Sequence, residues 1–319
     1  MAALIFSRDK LAAYVCRVFQ CNLEEGETRL QQLENLIQSY PIDALADLQR
    51  RHLATFPFSN VVLHYSQHHT ISLDPDHLFN KIVERGLGGY CLENTGLFAI
   101  ILRTLGYTLY TGGARVSKSI SPGPANGNFH GFGHQILIVT VEDSKYMSQL
   151  DVGFGPYGPT CPLALKDGEH RTTIGQSEIR LTRGNITANT DSSQRLWLYQ
   201  VRSDPDSEWA IAYCFYDIEF LREDYEVMNW WTSRKPTSFF TQDVICTRFL
   251  LNKTGNNIVG CLTLFKDIVK RNLNGTVEIL RTLKSEQERV SALKELFDVQ
   301  LEPMEARGIH GKSSEIKTA

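Results

Sequence analysis

No stretch of the 319-residue chain approaches the roughly 20 consecutive apolar residues that a membrane-spanning helix needs. No two cysteines stand in a CxxC arrangement, and the seven that occur, from Cys16 to Cys261, are scattered and odd in number. A disulfide framework and a structural zinc site are both disfavoured by that pattern. Charge of one sign is also missing, since 33 Lys and Arg against 36 Asp and Glu leave a net −3. Nothing global therefore draws the chain to nucleic acid or to an anionic membrane. The "GLGG" run at 86–89 lacks the third glycine and preceding strand of a dinucleotide fingerprint. Trp230 and Trp231 have no basic stripe beside them, which takes away a base-stacking reading. His64, His68 and His69 in "HYSQHH" have no acidic or thiol ligand nearby, so they read as a solvated turn rather than a metal site. The opening "MAALIFSRDKLAAY" is too soon charged for a signal peptide, and a cytosolic location is expected.

What is present is an ordinary globular composition, 42% hydrophobic and 22% charged, in a chain long enough for two or three domains. Residues 1–105 read mostly helical. "SRDKLAAYVCRVF" has helical apolar spacing behind Ser7 as N-cap, "EGETRLQQLENLIQSY" repeats the pattern up to Pro41, and "ISLDPDHLFNKIVERG" adds a short helix. Residues 106–222 are short β-rich segments, among them "YTLYTGGARV", "HQILIVTV", "KYMSQLDVGF" and "RLWLYQVR". Such a run predicts an antiparallel barrel or sandwich. "SISPGPANGNFHG" between two of them reads as a loop. Residues 223–319 are mixed, with strands in "DVICTRFLL" and "NIVGCLTLFKDIV", a helix in "SEQERVSALKELFD" and a polar, loose tail "GKSSEIKTA".

The stretch "RGLGGYCLENTG" at 85–96 carries the chemistry. Behind Cys91, the residues Leu97, Phe98, Ile101, Leu102 and Leu105 form an apolar helical stripe, with Gly106 as C-terminal cap. Cys91 then falls in the first turn of a buried helix, where unpaired N–H groups and the positive end of the dipole favour a thiolate. The glycines before it would let a substrate come close and leave N–H groups for an oxyanion. The competing reading is a small core cysteine.

A nucleophilic cysteine wants a base and a group to orient it. "HQILIVTVEDSKYMSQLDVGF" reads as a hairpin. With Asp143 and Ser144 at the tip, Glu142 opposes Lys145 and His134 opposes Gly153, so His134 and Asp151 share one face as diagonal neighbours. The competing reading is a polar strand end with a surface His and Asp.

Five blocks, in order, resemble the arylamine N-acetyltransferase family, with a likeness to its fungal members: "FPFSNVVLHYS", "GGYCLEN", "GHQILIV", "LDVGFGP" and "DYEVMNWWTSRKPTSFFTQ". The resemblance implies an α+β multidomain protein with a papain-like cysteine core. Its parts would be an N-terminal helical bundle (1–105), an antiparallel β-barrel (106–222) and a C-terminal α/β lid (223–319). It implies a Cys91–His134–Asp151 triad that moves an acetyl or related short acyl group from acetyl-, propionyl- or malonyl-coenzyme A. The acceptor would be an arylamine, arylhydrazine or N-hydroxyarylamine, and no metal or permanently bound cofactor is implied. Coenzyme A contacts carry over to His130, Gly131, Gly133, Trp231 and Thr237, and the aryl pocket to Phe58 and Phe154. The chain departs from the family at Ser59, Leu87 and Thr95, where a glutamate, an arginine and an asparagine are expected, and at Trp231, commonly a tyrosine. Losing the glutamate and the arginine together leaves no half of a buried ion pair, and Arg85 could partly replace the missing charge. A papain-like or transglutaminase-like cysteine hydrolase and a catalytically weak ligand-binding homologue share these residues and stand as alternatives.

Overall fold

The computed structural model describes residues 4–120, 128–142, 144–147 and 152–317. The chain opens with three helices, α1 (Arg8–Phe19), α2 (Leu23–Ser39) and α3 (Pro41–Thr55). The Ser7 hydroxyl accepts from the Lys10 N–H at the start of α1, and proline opens α3, where its missing N–H costs nothing. A two-residue strand β1 (Phe58–Ser59) and a short helix α4 (Val61–Tyr65) follow. Helix α5 (Pro75–Leu78) then widens into a π-helical stretch, Phe79–Glu84, in place of the single short helix expected there. Helix α6 (Cys91–Thr104) closes the region. Its Leu97, Phe98, Ile101 and Leu102 are buried in one cluster with Tyr14, Leu48 and Phe56 of the first helices. Each such side chain contributes about 1.5–3 kcal/mol on burial.

Eight strands come next: β2 (Thr108–Ser117), β3 (Phe129–Val141), β4 (Ser144–Met147), β5 (Leu163–Ala164), β6 (His170–Thr172), β7 (Glu178–Gly184), β8 (Leu196–Arg202) and β9 (Ala210–Phe215). They form one antiparallel sheet in the order β5-β4-β3-β2-β9-β8-β7-β6. No pairing among the described residues joins β5 to β6, so the expected closed barrel is an open sheet there. The sheet encloses its own core, in which Ile136, Ile138, Leu163, Leu181, Tyr199 and Tyr213 pack together. Strand β3 is buried on both faces. Ile136 and Ile138 enter that core, while Leu137 and Val139 pack against the helices.

The remaining elements are α7 (Arg222–Arg234), α8 (Phe239–Gln242), β10 (Ile245–Leu251), β11 (Ile258–Phe265), β12 (Ile268–Leu273), β13 (Thr276–Thr282), α9 (Glu286–Phe297) and α10 (Pro303–Ala306). The second sheet has the order β1-β10-β11-β12-β13. Phe58 pairs with Thr247 and Ser59 with Cys246, so the N-terminal region supplies an edge of the C-terminal sheet.

Three expectations are corrected. The Gly/Pro/Ser loop lies largely at 121–127, outside the described residues, but His130 and Gly131 belong to strand β3. The tail is not loose as far as Ile316. The Ser314 hydroxyl is 2.8 Å from His64 Nδ1, the Ser314 carbonyl accepts from buried Arg289 at 2.8 Å, and the Ile316 N–H donates to Glu286 at 2.7 Å. His64 is buried rather than solvated, and burial lowers its pKa to about 4. Among the described residues, no helix is long and apolar enough to cross a membrane.

Candidate active site

Tyr90 is the N-cap of α6, which makes Cys91 the first helical residue. The side chain of Cys91 is 3% exposed, and its Sγ lies 3.5 Å from the Gly133 carbonyl, the residue before His134. Its backbone is covered by Gly153. A Cβ added to Gly153 would fall well inside contact distance of Cys91 Cα and of its carbonyl. The glycines of 86–89 act differently from the expectation. None of them lines the cleft; a Cβ on Gly88, at φ +64°, would collide with the Pro57 carbonyl. They let the backbone turn tightly against the protein rather than admit a substrate.

His134 is buried on the core face of β3, with its ring centroid 5.0 Å from Phe154 and 5.1 Å from Tyr213. The hairpin register pairs Val141 with Ser144 and Thr140 with Lys145, two residues away from the register expected. Glu142 sits in the turn at φ +49°. A shift of two keeps every side chain on its face, whereas a shift of one would not. Asp143 and Asp151 lie outside the described residues.

The cleft has a volume of about 830 Å³. Cys91 and His134 line it, and so do Phe58, Phe154, His130, Gly131, Gly133, Trp231 and Thr237. All the expected contact residues within the described chain thus face one space. Phe239 and Phe240 of α8, Ile245 of β10 and Phe265 of β11 form an apolar inner wall interrupted by Thr247 and Thr263. At the rim stand Lys118 and Lys235, neither in an ion pair among the described residues. Burial first, then these two charges, lowers the pKa of His130. The Lys235 ammonium lies 4.6 Å over the Trp231 ring, which is 59% exposed.

Sequence reasoning passed over several residues. Asn94, fully buried, donates from Nδ2 to the carbonyls of Pro57, Gly89 and Val152, at 3.2, 2.9 and 3.4 Å. One amide thereby ties the glycine turn and the segment before Gly153 to the helix of Cys91. Tyr90 donates to Asn229 of α7, and Asn229 Nδ2 donates to the Ile71 carbonyl at 3.0 Å. Lys81 and Glu93 form a buried ion pair of 2.5 Å. The only signal for these was a polar residue within an apolar helical run, which is weak. Ser59 and Leu87 are both buried without charge. The Ser59 hydroxyl accepts from the Val61 N–H at 3.1 Å, and Leu87 packs in an apolar cluster with Val61 and Cys246. Arg85 does not replace the missing arginine, because it makes a two-point pair with Glu305 at 2.7 and 2.8 Å. Thr95 is buried, with no partner for its hydroxyl among the described residues. Among the described residues no cluster of His, Cys, Asp and Glu could hold a metal ion.

A family model described as N-acetyltransferase matches residues 41–306. An N-malonyltransferase of Fusarium pseudograminearum is 38% identical over 285 residues, covering 85% of this chain and 82% of that protein. The arylamine N-acetyltransferase / N-hydroxyarylamine O-acetyltransferase of Salmonella typhimurium is 30% identical over 212 residues, covering 66% and 67%. Among solved structures, the Salmonella typhimurium arylamine N-acetyltransferase superposes with a TM-score of 0.75 at 25% identity, over 96% of this chain and 98% of that one. The Mycobacterium marinum enzyme in complex with CoA superposes with a TM-score of 0.66 at 25% identity, over 84% and 92%. A helix-start cysteine beside a β3 histidine in an aromatic cleft, and relatives matched over most of their length, lead to one conclusion: the chain belongs to the arylamine N-acetyltransferase family.

Proposed function

We propose that the protein is a coenzyme A-dependent N-acyltransferase that works by a ping-pong mechanism through Cys91. The observation that carries this reading is the Cys91 thiol at the first turn of α6, facing the same cleft as His134. The thiolate of Cys91 attacks the thioester carbonyl of acyl-coenzyme A. The coenzyme leaves as a thiol, with its proton supplied through His134. An aromatic amine or hydrazine then enters along Phe58 and Phe154, takes the acyl group and returns the thiol. Asp151 holds the imidazole of His134 in the tautomer that can accept a proton. His130, Gly131, Gly133, Trp231 and Thr237 receive the coenzyme, and Lys118 and Lys235 supply the positive charge its phosphates require.

The acyl group is malonyl ahead of acetyl. Support comes from the N-malonyltransferase relative. Steady-state transfer from acetyl-, propionyl- and malonyl-coenzyme A to one arylamine tests this. The highest kcat/KM is expected with malonyl-coenzyme A, and a preference for acetyl would reverse the assignment. In the same assay Cys91→Ala should abolish transfer, and coenzyme A should protect Cys91 from iodoacetamide. A hydrolase would show no such protection.

A further inference from the structure

Two charges lie behind Cys91, on the side away from the cleft. Lys81 belongs to the π-helical stretch after α5, and its Nζ is 2.5 Å from Glu93 Oε1. The two side chains are 6% and 0% exposed. The other oxygen, Oε2, accepts from the Tyr90 N–H at 3.1 Å. Tyr90 is the N-cap, so the carboxylate grips the backbone immediately before the nucleophile. Space for it comes from Gly89, whose added Cβ would lie 2.6 Å from Glu93 Cβ. Exposed ion pairs elsewhere on the molecule join surface side chains, for example Arg271 with Glu278. The Lys81–Glu93 pair has no solvent to screen it and spans only two residues from the reacting thiol.

We propose that Lys81 and Glu93 are positioning residues for Cys91: the pair fixes the first turn of α6 through Tyr90 and keeps the ground behind the thiol electrically neutral. A lone carboxylate here would oppose a thiolate in the same turn, and a lone ammonium would favour it. The groups that bear on Glu93 are Lys81 from the π-helical stretch, His77 from α5 and Tyr90 at the cap. Glu226 of α7 and the Cys91 thiol bear on Tyr90, and His134 of β3 faces the cleft with Cys91. Burial raises the pKa of Glu93, against the pull of Lys81 and the Tyr90 N–H.

This inference rests on Cys91 being the nucleophile, and the test separates the two. The rate of Cys91 alkylation by iodoacetamide is followed against pH in the full-length protein, with thermal unfolding alongside. The proteins are the wild type, Lys81→Met, Glu93→Gln, the double variant and Lys81→Arg. Both neutralising singles should unfold at lower temperature. Their alkylation midpoints should move in opposite directions, up by about one unit in Lys81→Met, which slows the reaction about tenfold at pH 6, and down in Glu93→Gln. The double variant and Lys81→Arg should return towards the wild-type midpoint. Glu93→Gln keeps its shape and an acceptor for Tyr90, so its shift decides the matter even if Lys81→Met does not fold. A pair with a structural role alone would lower stability but leave the midpoint where it is, or move it the same way in both singles. Either result overturns the proposal. A wild-type protein in which Cys91 shows no fast alkylation would instead overturn the nucleophile assignment.

Discussion

The floor and the rim of the cleft are built on opposite plans. On the floor, Glu93, Asn94 and Lys81 are buried and bonded to one another or to backbone, and Gly153 lies directly on the chain at Cys91. At the rim, Trp231 is more exposed than buried, and Lys118 and Lys235 border the cleft without an acidic partner among the described residues. A buried floor tied down by these bonds cannot move without loss, because protein interiors are close-packed and breaking a buried bond orphans a polar group. An exposed rim can adjust to a ligand and be screened by salt. The difference teaches where each kind of change should register: floor substitutions in stability and kcat, rim substitutions in KM.

The sharpest test of that division is Leu87→Arg. It places an unpaired guanidinium in the apolar cluster beside Cys246 and Val61, at an expected cost of about 3–5 kcal/mol in urea unfolding. Adding Ser59→Glu should recover part of the loss, with a coupling of about 1–3 kcal/mol across the double-mutant cycle. Additive losses would show that the two positions do not share one floor. A smaller effect is expected from Gly153→Ala. The new methyl would meet Cys91 Cα and its carbonyl, backbone that cannot swing aside, so a cost of about 1–3 kcal/mol is expected. Acyl transfer should fall with kcat rather than KM, and a change confined to KM would place Gly153 on the rim. The mildest effect belongs to Lys118→Ala and Lys235→Ala. Each should raise the KM for acyl-coenzyme A about two- to fivefold with kcat nearly unchanged, since exposed ion pairs contribute up to about 1 kcal/mol. Added salt should shrink the difference from wild type. A loss of stability in either variant would erase the contrast between floor and rim.

The same contrast marks what the sequence made legible. Cys91 could be found because its glycines and the apolar stripe of α6 are local patterns, and the face of β3 carrying His134 because strand alternation is local too. The hairpin register came out two residues off, since it depends on Glu142 taking a left-handed turn conformation that its residue type does not advertise. Closure of the sheet depends on how its two edge strands meet, which strand alternation does not encode, and no pairing among the described residues joins β5 to β6. The polar tail gave no hint of its anchorage, because its partners are Arg289, on an inward position of α9, and His64, which looks solvated in a run of polar residues. Lys81 and Glu93 are twelve residues apart, on the π-helical stretch and on α6, and their pairing is set by how those elements pack.

The pairing of Phe58 with Thr247 has a consequence in time as well as in space. The bond from the Ile245 N–H to Asn60 Oδ1 joins residues 185 positions apart, and the sheet it belongs to supplies Thr247, Thr263 and Phe265 to the cleft. Closing so long a loop is slow, and during synthesis the later strands do not yet exist when α6 leaves the ribosome. For most of its assembly the chain carries the thiol without its opposite wall. The site is therefore completed last, and a chain cut short after β9 would hold Cys91, His134, Phe58 and Phe154 without the wall that Phe240 and Phe265 supply.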